Sequence, residues 1–171
     1  SSAKTTWEDV SAPNAVTSLD PILFTDHNGL AQDRTFTSQL TGQDSLSAYT
    51  DDDGNSWIPS QGGGIPSGVD HQTLGGGPYR TDMTALPPVI PPPHPLYPNA
   101  IYYCSQDSVV SFCARSYNGG LTFGPGVPIF NATQCGAIHG HVKVAPDGTV
   151  YVPDKSCGGH QGFTVSKDNG L

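Results

Sequence analysis

The sequence predicts an all-β fold of repeated antiparallel units, about three of them within 171 residues. Three observations carry that prediction. An eight-residue turn pattern occurs twice in full, at Thr50 to Trp57 and Ser116 to Phe123, and begins again at Ser166 to Leu171. Each copy follows a strand-like run: Ser45 to Tyr49, Val109 to Ala114 and Gly162 to Val165. The composition agrees, because 21 Gly and 16 Pro with 13% charged residues leave little for helices and much for short strands and turns. No stretch keeps a 3.6-residue apolar period, and none approaches the roughly 20 apolar residues of a membrane span.

The full copies, Thr50-Asp51-Asp52-Asp53-Gly54-Asn55-Ser56-Trp57 and Ser116-Tyr117-Asn118-Gly119-Gly120-Leu121-Thr122-Phe123, read hydroxyl, x, Asp/Asn, x, Gly, x, hydroxyl, aromatic. Such a segment makes a tight turn: the Asp or Asn side chain bonds the backbone ahead of it, Gly takes a positive φ, and the aromatic plugs the core. The third copy stops at Leu171, before its hydroxyl and aromatic. First hydroxyl to first hydroxyl, the copies lie 66 and then 50 residues apart, which fits repeats of about 40 to 50 residues with one long insertion.

The octapeptide resembles the Asp box of the bacterial neuraminidase repeat, found in sialidases and many other β-propellers. The resemblance implies four-stranded antiparallel blades, innermost strand first, with the octapeptide between the third and fourth strands. About three blades are implied, at residues 20–60, 69–130 and 135–171, behind an N-terminal extension over 1–19. Three blades leave two raw sheet edges. The resemblance therefore implies that the remaining blades of a six- or seven-bladed propeller, from the same polypeptide or other subunits, close the ring.

Each element follows by counting back from its turn. In the first unit the strands are Ile22 to Thr25, Arg34 to Leu40 across the Asn28-Gly29 loop, and Ser45 to Tyr49. In the second they are Val69 to Leu74, Ala100 to Ser105 and Val109 to Ala114. Residues Gly75 to Asn99 form an insertion whose Pro87-Pro88-Val89-Ile90-Pro91-Pro92-Pro93-His94-Pro95 run can make neither helix nor ladder and reads as a rigid polyproline excursion. In the third, His139 to Ala145 and Thr149 to Pro153 flank a Pro146-Asp147-Gly148 turn, with Val142, Val144, Val150 and Val152 alternating as in a hairpin, before Gly162 to Val165. Residues before Trp7 read as a mobile terminus, with Trp7 as an anchor onto the first unit.

The net charge of -8 argues against binding a nucleic-acid backbone. Cys104, Cys113, Cys135 and Cys157 form no CxxC pair, and their even number in this composition reads as two disulfides in an oxidising, secreted setting. Of three connectivities, Cys104 with Cys113 and Cys135 with Cys157 closes the shortest loops.

Residues at the starts of innermost strands are the first candidates for a site: Asp20, Asp70 with His71, and His139 with His141. Asp20, Asp70 and His71 are read as the catalytic candidates. His139 and His141, two apart on a strand, would point to one side and could hold a divalent metal together with His71 or Asp70. A second polar set, Gln39, Gln106, Asp107, Asp154, Lys155 and Gly158-Gly159-His160-Gln161, follows the second strands back to the same face. These groups could bond sugar hydroxyls, with Tyr102 or Tyr103 as a stacking platform. Asp51, Asp53 and Asn55 alternate as in a calcium loop but lack its closing glutamate.

The chain is similar to secreted sialidase-like propellers of bacteria, and the resemblance implies an activity on glycans or their recognition. Family sialidases use three arginines, an acid/base aspartate and a tyrosine activated by glutamate. Here the arginines are Arg34, Arg80 and Arg115, the glutamate is Glu8, and no Arg-Ile-Pro motif is present. Arg34 and Arg115 fall near the turn end, away from the expected mouth. Two expectations result: a glycoside hydrolase or lyase-like enzyme whose pocket lies at the propeller mouth, or a non-catalytic extracellular module that binds glycan or protein, or builds a surface assembly.

Overall fold

The computed structural model describes residues 6–18, 20–41, 45–60, 70–92, 96–136 and 138–171, and over these the chain is all-β and antiparallel. β1 (Ile22–Asp26), β2 (Arg34–Leu40), β3 (Ser45–Thr50) and β4 (Ile58–Ser60) form one sheet in chain order. β5 (Asp70–Pro78), β6 (Asn99–Gln106), β7 (Val110–Ser116) and β8 (Val127–Asn131) form the second. β9 (Lys143–Val144), β10 (Val150–Cys157) and β11 (His160–Ser166) form a three-stranded sheet with β10 in the middle. No helix of the described residues is long and apolar enough to cross a membrane.

The sheets stack face to face, which buries the alternate residues that the strand period presents on one side. Ile22, Phe36 and Tyr49 of the first sheet meet Leu74, Ile101, Tyr103, Ala114 and Phe123 of the second. On its other face the second sheet offers Ala100, Tyr102, Cys104 and Phe130 to Val142, Val150 and Val152 of the third. The expected strand starting at 69 runs on through Gly75, Gly76 and Gly77 to Pro78, pairing with 99–102 of β6, so the insertion begins only at Tyr79. A Cβ on Gly75 would stand 2.7 Å from the Val142 carbonyl oxygen, and one on Gly77 2.7 Å from Val144 Cγ1. Glycine there lets the third sheet approach the second, a packing role that a turn-like reading of Gly-Gly-Gly-Pro missed.

The insertion is tied to the body and closes on itself at one isolated bridge. Asp82 and Val89 exchange backbone hydrogen bonds of 3.0 and 2.9 Å, and no strand lies between Pro78 and Asn99 among the described residues. Tyr97, buried at its end, donates its hydroxyl to Asp26 Oδ2 at 2.9 Å and accepts from Asn28 Nδ2 at 2.6 Å. Pro93, His94 and Pro95 lie outside the described residues.

The three octapeptide turns share one set of bonds. Thr50, Ser116 and Ser166 donate their hydroxyls to the acceptor oxygens of Asp52, Asn118 and Asp168 at 2.8, 2.8 and 2.7 Å. They accept from the amides of Gly54, Gly120 and Gly170 at 2.9, 2.9 and 2.7 Å. Those glycines have φ of 87°, 82° and 76°, where an L side chain is strained. Phe123 is buried in the first core, whereas Trp57 is only half-buried and donates Nε1 to the Val10 carbonyl at 2.7 Å.

That bond belongs to an N-terminal segment laid across the first sheet. Ala12 is buried, Asn14 bonds the Ser47 carbonyl and the Val16 amide bonds Gln39 Oε1 at 2.7 Å. Trp7 is fully exposed, so the anchor is this run and not Trp7. Of the expected mobile terminus before Trp7, residues 1–5 lie outside the described residues, and so does the expected strand start at Val69. Both disulfides pair as the loop lengths favour, Cys104 with Cys113 across adjacent strands and Cys135 with Cys157.

Candidate functional site

At the end of the sheets opposite the turns, chain order brings the starts of inner strands beside the ends of their neighbours. Ile22 pairs with Ser38, Asp70 with Gln106, and His139 with Asp154. Two irregularities shape this end. In β5 the register slips between Asp70 and Thr73, and His71 sits at φ 43°, a left-handed conformation for a non-glycine residue. Asp70 Oδ1 accepts the His71 amide at 2.8 Å and steadies that bulge. In β10 a second slip lies between Asp154 and Cys157.

The bulge at His71 aims its ring toward both neighbouring sheets. Its Nδ1 lies 3.7 Å from Asp20 Oδ2, and its ring meets that of His139 edge-on with centroids 5.3 Å apart. Beneath, Gln72 links the first two sheets: Nε2 donates to the Asp20 carbonyl at 2.9 Å, and Oε1 accepts from Ser38 at 2.6 Å. Asp20, His71 and His139 therefore converge, whereas Asp70 is exposed and serves the backbone.

His139 and His141 do not act as a same-side pair. Between the pairings His139 with Asp154 and Lys143 with Tyr151, the 139 side carries one extra residue, which breaks the alternation. His139 is 1% exposed, while His141 lies open to solvent with Nδ1 3.3 Å from Thr73 Oγ1. Among the described residues, the one group of three His, Cys, Asp or Glu ligand atoms within 4.8 Å of each other is Cys135, Asp154 and Cys157. Its two sulfurs form a disulfide and are not thiolates. The expected metal pair of His139 and His141 with His71 or Asp70 is thus not assembled.

A cleft of about 640 Å³ opens beside His71 and His139, walled by Gly140, Pro153, Asp154, Lys155, Gln161 and Phe163. His139 Nδ1 lies 2.9 Å from the Gly140 carbonyl, which can only accept, so Nδ1 carries the proton and Nε2 a lone pair. That Nε2 is buried without a partner. Burial holds the ring neutral, with its pKa pushed down to about 4; His71 and His141 add to that, and the Gly140 carbonyl and Asp154 oppose it. Asp154 is 2% exposed; one carboxylate oxygen accepts the Ser156 amide at 2.8 Å and Oδ2 has no partner.

Other expected site residues have structural roles. Tyr102 and Tyr103 are each 1% exposed within the two cores and cannot stack on a ligand. Gln106 is buried, Gln39 holds the N-terminal segment, and Asp107 caps the Val109 and Val110 amides at 2.6 Å. Of the proposed calcium set, Asp51 is paired with Arg34 and Asn55 donates Nδ2 to the Asp52 carbonyl within the turn. The aromatic surface lies instead on Phe163, 67% exposed, and Tyr151, whose rings are 6.2 Å apart. Alternation along β10 and β11, with Val150 and Val152 facing the core, was the signal that places Tyr151 outside.

All three arginines are engaged at the turn end. Arg34 pairs with Asp51 at 2.7 and 2.6 Å, Arg80 with Asp147 at 2.8 Å, and Arg115 donates to the Asn169 carbonyl while stacking on Tyr117. Comparison with protein-family models, curated proteins and solved structures finds no match to this chain.

Proposed function

We propose that the three sheets are successive blades of an Asp-box β-propeller and that the cleft beside His71, His139 and Asp154 recognises a glycan. The observation that carries this reading is that His139 and Asp154, each with a buried acceptor that lacks a protein partner (Nε2 and Oδ2), both belong to the lining of one open cleft that also includes the exposed Phe163. Buried polar groups are ordinarily bonded, and unmade bonds to such groups cost about 1–3 kcal/mol each. A ligand with hydrogen-bond donors and an apolar ring face satisfies both features, and sugars carry both.

The arrangement supports recognition better than sialic-acid hydrolysis. A sialic-acid carboxylate needs donors and cations, and the arginines that would supply them are held at the other end of the sheets. The two disulfides accord with a secreted protein.

A glycan array probed with the whole chain, then with Phe163→Ala, tests the reading. Binding to a defined set of neutral or amine-bearing sugars is expected, weakened at least tenfold in the variant with an unchanged melting temperature. Binding confined to sialylated glycans, or equal binding by the variant, would remove the cleft from consideration.

A further inference from the structure

Resting on that glycan reading, we infer that the cleft floor receives a primary ammonium group, so that the sugar it selects carries a free amine. Asp154 supplies the first argument. Its carboxylate is 2% exposed, and among the described residues no Lys, Arg or His lies within ion-pair distance of it. The sulfurs beside it belong to the Cys135–Cys157 disulfide and bring no charge. A buried carboxylate is stable when it is paired with a cation or fully hydrogen-bonded, and half of this one is neither.

His139 supplies the second. With its Nδ1 proton on the Gly140 carbonyl, the ring offers the cleft only the Nε2 lone pair. The floor is therefore acceptor-only. A ligand carboxylate, sulfate or phosphate would add acceptors to acceptors. A hydroxyl gives one hydrogen and no charge, whereas an ammonium gives three donors and the missing positive charge together. A protein-held zinc or calcium ion takes three or more protein ligands, and among the described residues the ligand atoms of His71, His139 and Asp154 do not gather as a set within 4.8 Å of one another. Lys155 is exposed, so its charge sits in solvent and not on the floor. The net charge of -8 favours approach of a cationic chain.

Calorimetric titration of the full chain with four tetrasaccharides tests this: an all-glucosamine chain, its fully N-acetylated form, an all-glucose chain and a sialylated one. The free-amine chain is expected to bind about tenfold or more tightly than the other three, unaffected by EDTA. Asp154→Asn should abolish the preference, and the acetylation comparison on the unaltered chain reads the same point should that variant fail to fold. Equal binding of the free-amine and acetylated chains overturns the ammonium site and leaves the glycan reading standing. Binding that EDTA abolishes overturns it in favour of a metal, and binding of none of the four removes both readings.

Discussion

Replacing Arg34 with lysine removes a joint between the first two sheets while keeping the charge. Arg34 opens β2, and its guanidinium holds Asp51 with two bonds, of 2.7 and 2.6 Å, while Nη1 reaches the Gly119 carbonyl of the second sheet at 2.9 Å. The same group lies 3.8 Å over the Tyr49 ring and 4.8 Å from that of Tyr97. Its side chain is 13% exposed but that of Asp51 is 42% exposed, so the ion pair is discounted to about 1 kcal/mol. The Gly119 bond adds about 1 kcal/mol and the two ring faces about 1 kcal/mol more.

Lysine is a compact cation without the planar fork. It can keep one bond to Asp51 but neither the second nor the flat stacking, a loss of about 2 kcal/mol. In a domain of this size each kcal/mol moves the melting temperature by about 2–4 °C, so Arg34→Lys should melt about 4–8 °C lower. Scanning calorimetry of Arg34→Lys, Asp51→Asn and the double variant reads the loss and the coupling between the two residues. A shift under 1 °C in Arg34→Lys, or strict additivity with Asp51→Asn, would refute the view that this guanidinium joins the sheets.

The other predictions concern pH and the disulfides. His139 stays neutral in the fold down to about pH 4, whereas the unfolded chain protonates it near its ordinary 6.5. The unfolded state therefore binds more protons between those values, and stability that is complete above pH 6.5 should fall by about 3 kcal/mol on the way to pH 4. Urea unfolding at several pH values checks this, and His139→Gln should flatten the slope. Asp26, raised by its burial, acts in the opposite direction as pH falls, so the comparison is made between wild type and variant at each pH. Cys135→Ser with Cys157→Ser opens a 22-residue loop and should cost about 3 kcal/mol, and losing the 9-residue Cys104–Cys113 loop somewhat less. Equal or reversed losses by calorimetry would count against a loop-entropy origin.

The fold was legible wherever a local rule decided it. The hydroxyl, the Asp or Asn and the glycine of each turn specify their bonds within five residues, so the third strands that precede them could be placed to within a residue or two. Val142, Val150 and Val152 declared their inward face by alternation. What failed depended on contacts far along the chain. Gly75 to Pro78 reads as a loop to any local rule, yet it is a strand because Val142 and Val144 press against it. Tyr102 and Tyr103 carry no local mark of burial, since only the stacking of three sheets covers both faces of β6.

The site was half legible for the same reason. Residue type and strand order bring Asp20, His71 and His139 together, because paired antiparallel strands return their starts and ends to one edge. The chemistry of that edge is set by register, which a sequence does not display. One extra residue before Lys143 turns His139 inward and leaves His141 outside, and it pairs His139 with Asp154. The same slip that prevents a same-side histidine pair leaves a neutral imidazole and a carboxylate with one unpartnered oxygen as the buried polar side chains among the described residues that line the cleft. The register slips at His71 in β5 and at Asp154 in β10 lie in different sheets, yet both residues line the same cleft. The backbone irregularities and the unsatisfied acceptors thus point to the same place, which is why ligand selectivity should respond to Asp154 and His139 before it responds to the more exposed Asp70 or His141.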